Sequence, residues 1–286
     1  MRIKKIYDAA DGSATPGAVF TASLNEKVIT REGDRLDYLM IGVKGAVATA
    51  AVVIEDFADL INPLTLRYGG DNRLVLTLQE LIALSVFYYG KRIAVGENTD
   101  ATGNDFIGGV KIPVYQTVEA GRDLTIQLDR SAVTNISSET VAITGYWDTG
   151  ESERKPIHCV RVAHTTSGTA GIETYGSRIV PKGKMIGLII SQPNGFADGN
   201  IDVSLQRVKV LENGEEVAGL NDLADAISLA DIDYVTPSVF ADLLRPYRAY
   251  DFRPNGFDAK AAELTLQFDV QDVSDAIVIL PVIEIE

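Results

Sequence analysis

The stretch Asp123-Leu-Thr-Ile-Gln-Leu-Asp129 returns later in the chain as Glu263-Leu-Thr-Leu-Gln-Phe-Asp269. Every position is identical or chemically alike, at an offset of 140 residues (from position 123 to position 263). That offset is close to half of the 286-residue chain. It exceeds the repeat period of solenoids and propellers, which reaches about 50 residues. The repeat therefore predicts two tandem copies of one domain.

The strands and turns around the repeated stretch occur in the same order in both halves. In the first half, the turn Gly69–Asn72 precedes a helix that begins after Thr77, where Thr77 and Glu80 form a capping box. In the second half, the turn Asn213-Gly214 and its return strand precede the stretch Leu220–Ile227, which starts a short helix with Asn221 as the N-cap. The helices begin at Leu78 and Asp222, 144 residues apart.

Short alternating strands dominate both halves, and a polar stretch containing Gly and Pro separates them near residues 148–156. We predict an all-β chain of two eight-stranded jelly-roll barrels, each with a short helix after its middle hairpin. The N-terminal jelly roll is expected over residues 1–150 and the C-terminal one over 151–286. An immunoglobulin sandwich is disfavoured because each copy is longer than about 100 residues and lacks that fold's Cys–Trp–Cys marks.

Composition restricts the function. The formal net charge is −14 and the pI about 4.6, which argues against direct, sequence-specific binding of nucleic acid. The single cysteine, Cys159, excludes an intrachain disulfide and is expected to be a small core residue. No secretory signal and no apolar run of about 18 residues are found, so a cytoplasmic site of synthesis is expected.

Catalytic and cofactor signatures are weak, and we predict that the chain is not an enzyme and needs no cofactor. His158 and His164 are interpreted as ordinary strand histidines, although a metal or general-base role stays open. Two histidines are too few for a bicupin enzyme with a metal in each barrel. The loop over residues 96–109 offers Asp100, Asn104 and Asp105 as candidate Ca²⁺ ligands, and Ca²⁺ at subunit contacts is the one ion considered.

The second half has a strand, an Asn-Gly turn, a return strand and then a Leu-Asn-Asp-Leu helix start. With this order of elements, the chain resembles the double jelly-roll major capsid proteins of tailless icosahedral double-stranded DNA viruses with an internal membrane. Val208–Val217 with Leu220–Leu223 carries this resemblance best, and the small marine bacteriophage members are similar in length. The resemblance implies a virion protein that forms pseudo-hexagonal homotrimers. These would tile an icosahedral shell with neighbouring capsomers and with penton or minor capsid proteins.

The basic start of the chain, Arg2, Lys4 and Lys5, stands out from the acidic remainder. It could reach an anionic internal membrane or a neighbouring subunit, with a frayed terminus as the equal alternative. The main alternative function is a carbohydrate-binding or receptor-binding β-sandwich, such as a spike or lectin. Exposed aromatic residues would favour it, but Tyr88-Tyr89 and Tyr146-Trp147 lie in apolar contexts that predict core positions.

Overall fold

The computed structural model describes residues 1–8, 19–27, 32–47, 60–90, 104–131, 136–149, 153–165, 171–175, 183–191, 205–212, 214–221, 227–228, 244, 247–258, 264–270 and 276–285. The chain forms two compact units, Met1–Ile157 and His158–Glu286. The division lies just after the polar stretch in which the domain boundary is predicted.

The structure describes eight strands that lie wholly in the N-terminal unit, four of them in each of two sheets. They are β1 (Arg2–Asp8), β2 (Val19–Ser23), β3 (Arg35–Val47), β4 (Ile61–Tyr68), β5 (Asp71–Leu76), β6 (Asn104–Thr117), β7 (Leu124–Arg130) and β8 (Ile136–Asp148). One sheet has the order β1-β8-β3-β6 and the other the order β5-β4-β7-β2. The described part of this unit contains two helices, α1 (Leu24–Lys27) and α2 (Leu78–Tyr89).

The C-terminal unit repeats this plan with additional short strands. Its strands are β10 (Val162–Thr165), β11 (Gly171–Tyr175), β12 (Gly183–Ser191), β13 (Leu205–Glu212), β14 (Glu215–Asn221), β15 (Ile227–Ser228), β16 (Tyr247–Asp251), β17 (Phe257–Asp258), β18 (Leu264–Val270) and β19 (Ala276–Ile285), while β9 (Ile157–Val160) spans the division. One sheet has the order β11-β18-β13-β14. In the other, β12 and β19 pair with each other, β16 pairs with β12 and β10 pairs with β19.

The two units therefore have matching topologies. The order β2-β7-β4-β5 corresponds to β11-β18-β13-β14, and β1-β8-β3-β6 corresponds to β10-β19-β12-β16. The register agrees as well, because Gln127 pairs with Thr21 in the first unit and Gln267 pairs with Thr174 in the second. Two packed antiparallel sheets of four strands with these crossovers define a jelly roll, and the chain contains two.

Both middle hairpins are confirmed. Gly69 and Gly70, with φ of 60° and 91°, form a two-residue turn between Tyr68 and Asp71, as the twist of a tight hairpin requires. In the second unit, β13 and β14 are paired up to Glu212 and Glu215, and Gly214 between them also has a positive φ.

The helix predicted in the first half is confirmed together with its capping box. The Glu80 N–H donates to Thr77 Oγ1 (3.3 Å), and the Thr77 N–H donates to Glu80 Oε2 (2.9 Å). Gly90 ends the helix in the left-handed conformation. In the second half, Asn221 occupies the position that matches Thr77, since Leu76 and Leu220 pair with equivalent residues.

Asn221, the predicted N-cap, ends strand β14, and the helix start expected after it, residues 222–226, lies outside the described part of the chain. Ile227, at the far end of that stretch, begins strand β15. Two details differ from the expectations. The loop predicted over 96–109 is strand from Asn104 onward, because β6 continues its pairing with β3. The strand predicted over 158–163 is interrupted at Arg161.

The cores lie between the two sheets of each unit. In the repeated stretch, Leu124, Ile126 and Leu128 are fully buried, as are Leu266 and Phe268. Their alternation with polar residues places one face of β7 and β18 against the opposite sheet. Cys159 is buried, as predicted.

Candidate functional site

The structure describes two of the three candidate Ca²⁺ ligands. Asp100 lies outside the described residues, whereas Asn104 and Asp105 are the first residues of β6, paired with Ala46 and Gly45 of β3. These two residues thus belong to a ladder and not to the loop that the prediction assumed. Within the described ranges, no three His, Cys, Asp or Glu side chains come together as a metal site.

The basic N-terminus forms strand β1, which pairs with β8 from Arg2 opposite Trp147 to Asp8 opposite Ala142. Arg2 is ion-paired with the buried Asp34, and Lys5 Nζ lies 3.1 Å from Asp8 Oδ2. The Lys4 side chain is exposed. This end of the chain is therefore held by a ladder and by carboxylates of its own unit.

The N-terminal ammonium itself lies 3.6 Å from Asp148 Oδ1. The backbone N–H of Thr149 and then this ammonium lower the pKa of Asp148. Both groups favour the charged carboxylate, which helps to fix the first residue beside the end of β8.

Five tyrosines of the N-terminal unit form a cluster around Lys111, here called the tyrosine cluster: Tyr38, Tyr88, Tyr89, Tyr115 and Tyr146. Tyr38 and Tyr146, neighbours on β3 and β8, stack with ring centroids 4.3 Å apart. Lys111 Nζ lies 4.1 Å from the Tyr38 centroid and 4.6 Å from that of Tyr89. A cation shared between two ring faces is an attractive arrangement.

The other half of the cluster joins the end of α2 to β6. The hydroxyls of Tyr89 and Tyr115 are 3.4 Å apart, and Arg154 donates to the Tyr115 hydroxyl while its guanidinium lies over that ring. Tyr115 has a positive φ of 52°, which is uncommon for a residue with a side chain. Burial, followed by the hydrogen bond with Tyr115, raises the pKa of Tyr89.

These tyrosines only partly match the core positions that the sequence predicted. Trp147 is fully buried, but Tyr88, Tyr89 and Tyr146 are only partly buried. The sequence carries no local signal for the cluster, because it is assembled from residues on α2, β3, β6 and β8.

His164 pairs with an acid across the C-terminal barrel. Its Nε2 lies 2.7 Å from Glu173 Oε2, and both side chains are mostly buried. The pair joins β10 of one sheet to β11 of the other. The corresponding strands of the N-terminal unit, β1 and β2, are joined by a ring contact between Tyr7 and Phe20 (4.5 Å between centroids). His158 lies on a different strand, β9, and is buried.

The arrangement is thus a pair of jelly rolls with ion pairs, aromatic contacts and edge strands. No helix in the described part of the chain has the length and apolar character needed to cross a membrane. Two jelly rolls with the same strand order in one chain define the double jelly-roll fold.

Known structures share this fold across the whole chain. The STIV MCP, a viral major capsid protein, superposes with a TM-score of 0.70 at 9% identity over 99% of this chain and 96% of that one. The major capsid protein P2 from bacteriophage PM2 gives 0.61 at 11% identity, covering 100% of this chain and 97% of P2. A chain of the PBCV-1 virus capsid gives 0.58 at 12% identity, covering 98% and 92%.

The likeness is one of fold, at only 9–12% sequence identity. No known sequence family matches this chain. No curated protein matches it either. The double jelly-roll fold expected from the sequence is confirmed by these structural neighbours, all of which are viral major capsid proteins.

Proposed function

We propose that this chain is a major capsid protein that assembles as a pseudo-hexagonal homotrimer and tiles an icosahedral virion shell. The role is structural and involves no catalytic reaction. The capsid proteins that share the double jelly-roll fold support this proposal.

The observation that carries the proposal is the matched topology of the two units. Three chains with two like barrels each supply six similar barrels, which is enough for a block with a hexagonal outline. Closed symmetric assembly is the rule for soluble homo-oligomers, and threefold rotation is one of its common forms. Fusing two barrels in one chain thus gives a sixfold outline from a threefold assembly.

The test is the mass and outline of the purified protein. Light scattering coupled to size exclusion should give about three times the 30.9 kDa of one chain, and negatively stained particles should have six-sided outlines. A protein that remains monomeric at all concentrations, with no six-sided particles, would refute the proposal.

The N-terminal strand is the element that we assign to a membrane or a neighbouring subunit. A basic residue near anionic lipid contributes about 1 kcal/mol, and many subunits would add such contacts. Because Lys4 is exposed, Lys4→Glu should weaken flotation with vesicles that contain phosphatidylserine. Equal flotation of both proteins would favour a contact with a neighbouring subunit or a minor capsid protein.

Calcium at subunit contacts remains part of the proposal, with Asp100, Asn104 and Asp105 as candidate ligands. Several oxygen ligands are what Ca²⁺ requires, and the chain has a large excess of acidic groups. Addition of EGTA should lower the fraction of trimer if Ca²⁺ joins subunits, and an unchanged fraction excludes this role.

A carbohydrate-binding function is the second candidate. It is favoured by the tyrosine cluster, because several of its rings are partly exposed and could contact a sugar. However, the rings of Tyr38, Tyr89 and Tyr115 already contact one another, Lys111 or Arg154. Binding on a glycan array that is lost in Tyr38→Ala would support this second candidate over the capsid role.

A further inference from the structure

The repeated stretch has an outward face that is more strictly repeated than its buried face. Thr125, Gln127 and Asp129 point away from the core and are partly exposed, and the second copy has Thr265, Gln267 and Asp269 at the matching places. These three outward positions are identical, whereas two of the three inward positions differ between the copies. Substitutions at such surface positions usually change stability by less than about 0.5 kcal/mol. Folding of each unit therefore does not explain why this outward face is the same in both.

The neighbouring edge strands extend the same surface. Val19 pairs with Asp129 and Thr21 with Gln127, while Ile172 pairs with Asp269 and Thr174 with Gln267. Thr21 and Thr174 are identical and exposed, and both copies have a β-branched apolar residue one step away on the same face. Val19 is 59% exposed and Ile172 67%.

We call this surface the outer patch. In the N-terminal unit it comprises Val19, Thr21, Thr125, Gln127 and Asp129, and the C-terminal unit has the five matching residues. Gln127 Nε2 donates to Asp129 Oδ1 (3.0 Å), and Gln267 Nε2 donates to Thr174 Oγ1 (3.4 Å). The amides are thus held in the plane of the patch, beside one exposed apolar side chain.

The patch also lies at a sheet edge. Among the described strands, β2 pairs only with β7 and β11 only with β18. An edge strand offers backbone N–H and C=O groups to another chain, and proteins commonly protect it with charged residues such as lysine. Among the edge side chains whose burial the structure describes, those that are exposed are Val19, Thr21, Ile172 and Thr174, none of which is charged.

The occupant follows from the repetition, if the trimer of the proposed function is accepted. Because the outer patch recurs in both units, a trimer of three chains carries six copies of it. A shell of hexagonal tiles brings a neighbouring trimer against each side of the tile, so the number of patches matches the number of neighbours.

We propose that the outer patch is the surface by which one trimer meets the next, and that its occupant is a second copy of this chain in the neighbouring trimer. Each patch is small, so a single contact is weak. A trimer carries six patches, and such contacts become strong together when the shell forms.

The test compares three proteins. They are the wild type, a double variant that carries both Val19→Lys and Ile172→Lys, and the control variant Ile3→Lys. Ile3 is also a β-branched residue on an edge strand and is 53% exposed, but it belongs to the other sheet. Sedimentation velocity over a wide range of protein concentration measures two separate quantities, the fraction of trimer and the association of trimers with one another.

We expect all three proteins to form trimers, and the double variant to associate between trimers at least about tenfold more weakly than wild type and the control. Equal association of the double variant and wild type overturns the inference, as does a control that is weakened to the same extent. Wild-type trimers that stay apart at the highest concentration also overturn it, while the proposed function stands. Absence of trimers in wild type refutes the proposed function instead.

Discussion

Truncation of the buried leucine in the repeated stretch should destabilise the N-terminal unit strongly. Leu128 is fully buried on β7, between strands β2 and β4. Leu128→Ala removes three carbon atoms, which corresponds to about 2.4 kcal/mol at about 0.8 kcal/mol for each buried methylene group. The residual cavity brings the expected loss to about 3–4 kcal/mol in the free energy of unfolding.

The matched control is the adjacent residue on the opposite face. Gln127 is partly exposed and its amide can bond to water when the bond to Asp129 is lost, so Gln127→Ala should cost no more than about 0.5 kcal/mol. The single tryptophan, Trp147, is fully buried on β8 and reports the unfolding of this unit.

The assay is urea unfolding followed by tryptophan fluorescence, with the loss calculated from the shift of the midpoint and the slope. The reasoning is refuted if Gln127→Ala costs as much as Leu128→Ala, because the inward and outward faces of β7 would then be wrongly assigned. A shift below about 1 kcal/mol for Leu128→Ala would refute it as well.

Three further predictions concern local features. Thr77→Ala removes half of the capping box and should cost about 1 kcal/mol, measured by urea unfolding, and no change would mean that the cap contributes nothing. The pKa of Tyr89 is raised in the folded protein, so the folded state holds the Tyr89 proton more tightly than the unfolded state does. Below about pH 10 the tyrosine is neutral in both states, and above it the unfolded state loses its proton first, so the free energy of unfolding falls as the pH rises. Tyr89→Phe should therefore reduce the loss of stability above pH 10 in thermal melts, and an identical alkaline profile would contradict this. Gly183→Ala should abolish or severely reduce folding, seen by circular dichroism, because a Cβ there would overlap the backbone carbonyl oxygen of Glu284. Gly42→Ala places its Cβ in open space and should be tolerated.

Much of the fold could be predicted because its signals are local. Alternation of apolar and polar residues assigns the faces of β7 and β18, and the two-residue turns and the capping box lie within a few residues of one another. Sequence reasoning was wrong where tertiary pairing overrides composition. Asn104 and Asp105 lie in a stretch rich in Gly and Asn that is typical of loops. They are nevertheless part of strand β6, because the long strand β3 extends far enough to pair with them.

The candidate site was less predictable, since its groups meet only across strands. The tyrosine cluster joins residues that lie more than a hundred positions apart in the sequence, such as Tyr38 and Tyr146. The residues next to Lys111 and Tyr115 in the sequence give no indication that these two side chains belong to the cluster. The pair of His164 and Glu173 likewise depends on two strands in different sheets. Pairings between distant segments leave no mark on local periodicity.

By itself the sequence determined that the chain is all-β, that it holds two copies of one domain and that each copy has a tight middle hairpin, because backbone preferences and side-chain alternation act over a few residues. Only the tertiary structure decided that Thr125, Gln127 and Asp129 lie beside an exposed edge strand, and that the same surface recurs in the second copy. The repeated stretch is thus both core and surface. Its inward half is explained by packing, and its identical outward half is explained by the proposed contact with another copy of the chain.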